Sequence, residues 1–294
     1  MRRSIVRTHL AVLVALAAAA CARGDRAPAS GPAVSDDAGR RVTLAAPARR
    51  IVSLLPSFTE ILFAIGAGER LVGRTRWCDY PPAALAVPSV GDGIPPNVEA
   101  VAARRPDLVV LYRSAPNVTA AQQLERLGIR TVLFDLNRLE ELAPAARRLG
   151  TLTGRRAAAD SLARAMDSLA SQPPAPSHQS LAFVVWDNPP IVIGAGSFLD
   201  RLAGLAGVRN VFHDIAAPSA QVSIETIAAR NPDFIAVLSD SATLPRYAGR
   251  PEWRVVPAVR NRRFLFLQGG LFGRPGPRAR EAVRELRRLL ETAP

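Results

Sequence analysis

Lysine is absent from this 294-residue chain, whose 38 basic residues are all arginine. Histidine (three), cysteine (two) and methionine (two) are nearly as scarce, and aromatic residues make up only 5%. Each shortage removes a class of chemistry. The net charge of +13 is spread along the whole chain among 25 acids, without the basic stripe and interleaved aromatics of a nucleic-acid binder, so no nucleic-acid partner is expected. Beyond residue 20 only His178 and His213 remain, with Cys78 the one thiol that follows Cys21. A protein metal site draws several ligands from such residues, so no metal site is expected. Catalysis built on an imidazole is equally short of material; Cys78 and His213, the latter beside Asp214, are the only starting points for an enzyme. No apolar run reaches the roughly 18 residues that span a bilayer.

What is present begins at the N-terminus. Arg2, Arg3 and Arg7 precede the apolar run Leu10 to Ala20, which ends Ala18-Ala19-Ala20-Cys21. A basic region, a short apolar core and small residues form an export signal. Small residues directly before a cysteine resemble the lipobox of bacterial lipoproteins, which implies that Cys21 becomes a diacylglycerol-bearing N-terminus anchored to a membrane. Without residues 1–20 the chain keeps 35 arginines against 25 acids. With Cys21 lipidated, Cys78 has no disulfide partner and is expected as a small buried apolar group. Residues 21–48, rich in Ala, Gly, Pro, Ser and Asp, read as lipidated N-terminus and flexible tether, with a short edge strand expected at 41–44.

From Arg50 onward strand and helix signals alternate. Strands are expected over 51–55, 72–76, 108–112, 131–134 and 181–185; helices over 60–65, 98–105 and 120–127, the first capped by Ser57 or Thr59 and stopped by Gly66 and Gly68. That alternation predicts an α/β fold with parallel sheets. Residues 139–169 read as mainly helical with a break near 151–154, and a proline-rich stretch covers 172–178. An internal repeat fixes the architecture. NVEAVAARRPDLVVL (97–111) returns as SIETIAARNPDFIAV (223–237), an offset of 126 residues, and the IGAG of 65–68 is echoed at 193–196. Two copies in a chain this long indicate a duplicated lobe rather than a solenoid. The expected division is 1–20 signal, 21–48 tether, 49–150 N-terminal lobe, 151–178 linking helix and 179–294 C-terminal lobe. Ligands of such sheets bind beyond the carboxyl ends of the strands, so the site is expected in a cleft between two Rossmann-like lobes.

Few residue types are placed to carry function there. Trp77, Trp186, Phe198 and Phe272 lie in or near loops after strand candidates and offer stacking surfaces for a large planar ligand. Arg113 follows its strand and Arg274 sits in a Gly/Pro loop, where either can meet a ligand anion. Glu99 and Glu225 occupy the same first-turn position of the two repeated helices, two residues after the caps Asn97 and Ser223. There each stabilises a helix N-terminus; as a pair they suit two equivalent basic sites on a two-fold partner.

Together the segments RIVSLLPSFTEILFAIGAGERLVG (50–73), CDYPP (78–82), PNVEAVAARRPDLVV (96–110), LERLGIRTVLFD (124–135), NPPIVIGAGSFLDRLAGLAGVRNVF (188–212) and VSIETIAARNPDFIAV (222–237) resemble the periplasmic and lipoprotein receptors of cobalamin and iron-complex ABC importers, the cobalamin branch above all. The resemblance implies a non-enzymatic, monomeric receptor without a cofactor of its own, exported and lipid-anchored to a bacterial membrane. Its two lobes are joined by one long backbone helix. Its cargo is cobalamin or a related corrinoid, with a ferric siderophore or haem as the alternative, and its partner is an importer permease dimer. Glu99 and Glu225 fall on the two carboxylates that meet permease arginines. Trp77 falls on a corrin-contacting aromatic, and Gly270, Leu271, Phe272, Gly273 and Arg274 fall on the second ligand loop. Gly93 stands where the cobalamin receptor has a pocket tryptophan, with Trp186 the available substitute.

Overall fold

The structure, a computed structural model, describes residues 31–293; the signal segment and Cys21 lie outside the described residues. Residues 32–293 form one compact unit. Its first element is an antiparallel hairpin, β1 (Ala33–Ser35) and β2 (Arg41–Thr43). Asp36 builds its turn by accepting from the Ala38 and Arg40 N–H groups, and Arg40 closes on the same carboxylate at 2.6 Å. Val42, Leu44 and Ala48 are buried. The tether expected to reach residue 48 therefore stops short of β1: β2 is the edge strand expected at 41–44, β1 has too few apolar residues for a pattern, and the polar turn between them is hydrogen-bonded into the fold.

The N-terminal lobe carries β3 (Ile51–Ser53), β4 (Leu71–Arg74), β5 (Leu108–Tyr112) and β6 (Arg130–Phe134) in the order β4-β3-β5-β6, all parallel. Such strands are buried on both faces and read as unbroken apolar runs; Leu108 to Leu111 are fully buried. Between them lie α1 (Pro56–Ala64), α2 (Val98–Ala103) and α3 (Ala115–Arg126). α1 starts ahead of the Ser57 and Thr59 caps because Pro56 takes its first position, where a missing N–H is no loss and φ is already helical. Thr59 instead donates to Ser53 Oγ at 2.9 Å. The hairpin supplements the sheet edge: Asp36 accepts from the Leu133 N–H and Asp37 from the Asp135 N–H.

The helical stretch after β6 is two helices. α4 (Leu142–Thr153) ends at Gly154, φ 68°, and α5 (Arg156–Ala170) packs back along it. Fifteen residues at 1.5 Å each make α5 about 22 Å long. It begins in the N-terminal lobe, with Arg155 3.2 Å from Glu69, and ends where Arg201 donates to the Ala170 and Gln172 carbonyls.

The C-terminal lobe departs from the parallel expectation. Its sheet runs β10 (Ser219–Gln221), β8 (Pro190–Ile193), β7 (Gln179–Asp187), β11 (Phe234–Leu238), β12 (Phe264–Leu267), with β9 (Val208–Asn210) also on β7. β7, β9, β11 and β12 are parallel, while β8 and β10 are antiparallel additions. The two IGAG segments consequently do different things. Ile65–Gly68 ends a helix, whereas Ile193 ends β8, and a Cβ on Gly194 would sit 2.4 Å from the Ala217 carbonyl. Glycine is required there by a crossing chain, so that echo is of sequence and not of structure. The helices of this lobe are α6 (Phe198–Ala206), α7 (Ile224–Arg230), α8 (Pro257–Arg260), α9 (Gly269–Phe272) and α10 (Ala279–Thr292). Two α/β lobes joined by α5 are the expected architecture, with one mixed sheet. No helix among the described residues is long and apolar enough to cross a membrane.

Candidate functional site

The C-terminal ends of the N-terminal lobe's strands open on a cleft of about 650 Å³. Leu54 and Leu55 follow β3, Thr75 and Trp77 follow β4, Tyr112 ends β5, and Leu136 and Asn137 follow β6. The opposite wall is the segment after β12: Gly269, Gly273, Arg274 and Pro275. The cleft thus lies between lobes, on the strand-end side.

Trp77 is 55% exposed on this cleft, with the Arg76 guanidinium 4.6 Å from its ring centre. Its loop is shaped from beneath by Arg74, a buried arginine that donates to the carbonyls of Ala84 and Val87 through Nε and of Thr75 through Nη1. Gly93 stands in the same loop at φ 89°, where a Cβ would come within 2.6 Å of Thr75 Cγ2 and 3.0 Å of the Leu54 carbonyl. No tryptophan fits that backbone. Ile94, half exposed beside it, supplies the apolar surface instead.

Arg274 enters the cleft from the other lobe, and its charge is already met. Nη1 lies 2.9 Å from Asp79 and 3.7 Å from Glu60, and also donates to the Trp77 carbonyl. Glu60, on α1 and 3% exposed, takes two hydrogen bonds from Arg278 at 2.9 and 2.8 Å. Arg278 in turn donates to the Gly270 carbonyl and covers the Tyr80 ring. Burial opposes the Arg278 charge, but the Glu60 hydrogen bonds outweigh it and raise its pKa. Asp92, the other charged group on the wall, pairs with Arg76 at 2.7 Å. Three guanidinium groups face three carboxylates here.

Several expected ligand residues stand elsewhere. Phe272 is 1% exposed and belongs to the core, as does Leu271; the segment forms the helical turn α9, which turns both side chains inward and leaves Gly273 and Arg274 toward the cleft. Phe198 is buried in the same core. Gly270 enters through its carbonyl, engaged by Arg278. Arg113 is not on the cleft wall: a bidentate pair with Asp135, at 2.9 and 2.5 Å, holds it and raises its pKa. Trp186, 59% exposed, lines a separate hollow of about 370 Å³ with Tyr247 and Arg250. Ser57, Ile94, Tyr112 and Asn137 also line the cleft, and sequence reasoning did not select them for it. Tyr112 carried the one available signal, a phenol at the end of a strand; it donates to Asn137 Oδ1 at 2.9 Å.

The two enzyme candidates do not meet. Cys78 is fully buried, 3.1 Å from Thr75 Oγ1. His213 Nδ1 lies 2.9 Å from the buried Asp200 in another hollow, and Asp214 is paired with Arg230, whose hydrogen bond lowers its pKa. Among the described residues no three His, Cys, Asp or Glu side chains cluster as a metal site.

The repeated helices match their expectation locally. Asn97 caps α2 by accepting from the Ala100 N–H at 2.9 Å, and Ser223 caps α7 by accepting from the Thr226 N–H at 3.1 Å. Glu99 and Glu225 are both exposed in these first turns. The Glu225 backbone N–H, and then the Ser223 hydroxyl, hold the Glu225 carboxyl below its ordinary pKa.

Known proteins are similar to this chain in sequence and fold. A vitamin B12-binding protein of Vibrio cholerae is 29% identical over 255 residues, covering 84% of this chain and 91% of the relative. A crystal structure of the periplasmic vitamin B12 binding protein BtuF of that species aligns at TM-score 0.67 and 26% identity, covering 83% of this chain and 97% of the other. An uncharacterized ABC transporter substrate-binding lipoprotein of Bacillus subtilis, YvrC, is 31% identical over 267 residues, 87% of this chain and 84% of the relative. The periplasmic heme-binding protein RhuT of Roseiflexus sp. RS-1 aligns at TM-score 0.69 and 25% identity, covering 82% and 97%. The family model described as periplasmic binding protein matches residues 51–269. This chain therefore belongs to the periplasmic binding protein family of ABC-import receptors, which are binding proteins and not enzymes.

Proposed function

We propose that this receptor captures cobalamin or a closely related corrinoid and hands it to an importer permease. The observation that carries the cargo is the cleft wall: exposed Trp77 and Ile94 beside neutral Tyr112 and Asn137, with the cleft's one arginine already paired. A bulky ligand clothed in amides suits apolar surface with scattered neutral hydrogen-bonding groups. Carboxylate-rich cargo would look for free guanidinium groups, which this wall lacks among the described residues. A haem or ferric-siderophore cargo is the second reading. Tyr112 favours it, because a phenol oxygen on the cleft wall is an iron ligand in other haem proteins. Titrating purified protein with cyanocobalamin, hemin and ferric siderophores, followed by absorbance and calorimetry, decides between them. Saturable binding of hemin alone would replace the first reading by the second.

Glu99 and Glu225 are the proposed permease contacts, one on each repeated helix. Cys21 is the proposed lipid attachment, supported by its small-residue context and by the lipoprotein name of the Bacillus relative. A Cys21→Ser protein should lose incorporation of a labelled fatty acid and leave the membrane fraction; retention there would remove the anchor from the proposal.

A further inference from the structure

We infer that Asp79 is a specificity-determining residue whose task is to cancel Arg274 and so keep anionic cargo out of the cleft. The inference rests on the cleft being the cargo site, and it concerns selection there rather than the identity of the cargo. Arg274 is the only arginine lining the cleft wall among the described residues, and Arg76 beside Trp77 is held by Asp92. Its side chain is 14% exposed, so a ligand carboxylate arriving there would meet a guanidinium with little water around it, the setting in which charge-assisted hydrogen bonds are strong. Unpaired, Arg274 would make the cleft a carboxylate trap. Asp79 occupies it at 2.9 Å from the facing lobe.

Glu60 is not free to do the same work. Both of its oxygens are taken by Arg278, and it stands 3.7 Å from Arg274, outside hydrogen-bond range. Asp79 differs in being 55% exposed at its side chain and in having Arg274 as its one ion-pair partner among the described residues. An anionic ligand must therefore exchange one carboxylate for another and expel Asp79 into water still charged, with little net gain. A neutral amide carbonyl asks for no such exchange, since Arg274 keeps further N–H groups for it while holding Asp79. Selection against a wrong ligand by a pre-placed like charge is a common specificity device. The turn from Trp77 to Asp79 combines both halves of it, an aromatic surface for the cargo and a carboxylate against the competitor.

The test is a selectivity ratio. Cyanocobalamin, cobyrinic acid (the corrin ring with its side chains as carboxylates) and hemin are titrated into parent, Asp79→Asn, Arg274→Gln and the double variant. Asp79→Asn should shift the ratio of affinities about tenfold toward the two carboxylate ligands, the scale of one charge pair made in a partly desolvated site. The double variant should lose that shift, because the gain runs through Arg274. An unchanged ratio in Asp79→Asn, or a shift that survives loss of Arg274, overturns the inference. Failure of the parent to bind cyanocobalamin would instead overturn the proposed cargo, and the hemin arm would still read the effect of Asp79.

Discussion

Glu60 and Trp77 show how differently single side chains at the cleft can matter. Glu60 is buried on α1 and takes both its hydrogen bonds from Arg278 of the other lobe. Removing one partner of a buried pair leaves the other uncompensated, at a cost of about 3–5 kcal/mol. Glu60→Ala should therefore lower the midpoint of thermal unfolding by several degrees; a midpoint equal to the parent's would show that the pair holds nothing together. Trp77 is the opposite case, exposed and stabilising no core. Trp77→Ala should weaken cargo binding by about 1–3 kcal/mol, as for a hot-spot aromatic, with the unfolding curve unmoved. Phe272→Ala should instead destabilise the fold by about 3–5 kcal/mol through the cavity it leaves, so chemical denaturation and calorimetry separate the two aromatics. Sequence position alone put both in loops at one cleft. What it could not show is that 269–272 winds into a helical turn, which reverses the direction of a side chain relative to an extended loop.

Among the elements, α2 and α7 were the most legible. Cap, carboxylate and following strand recur at a constant offset, and each cap is a local hydrogen bond that a four-residue window contains. The antiparallel β8 and β10 were not legible: β8 is a four-residue strand that opens on Pro190 and turns straight back on β7, and β10 is a three-residue strand paired with β8. Of the β1–β2 hairpin only the edge strand at 41–44 was legible; its anchoring comes from Asp36 and Asp37 reaching nearly a hundred residues along the chain to the end of β6. For α7 the cap also tunes a charge. Because the folded Glu225 pKa is depressed, its contribution to stability is present above the ordinary carboxylate range and is lost only as pH falls through the lower folded value. Ser223→Ala should return the Glu225 titration, followed by carbon NMR of the carboxyl, toward the ordinary range. A titration that did not move would take the hydroxyl out of the account. Reversing Glu99 and Glu225 together to Arg should leave cargo affinity near the parent value and sharply reduce uptake, with the residual uptake rising at high salt. Normal uptake by the double variant would remove the docking role.

At the scale of the whole molecule, two lobes with a cleft between them followed from the repeat alone, while the fine wall of the cleft did not. Arg74, Gly93 and Tyr112 act there through backbone carbonyls, a forbidden Cβ and a strand end, none of which leaves a mark on composition or spacing. The lobes are tied at several places: α5 runs between them, Arg278 bridges to Glu60, Arg274 to Asp79 and Arg201 to Glu140, and the Phe198 N–H donates to the Asn137 carbonyl. A molecule restrained this way should change its radius of gyration little when cargo binds, which solution scattering with and without cyanocobalamin measures. A large contraction would mean that the ties yield. If they hold, the silhouette of the receptor carries almost no news of whether it is full. The importer must then learn of occupancy at the rim of the cleft, or by prying the lobes apart against the Glu60–Arg278 bond, so that release becomes a mechanical act performed by the permease and not a decision taken by the receptor.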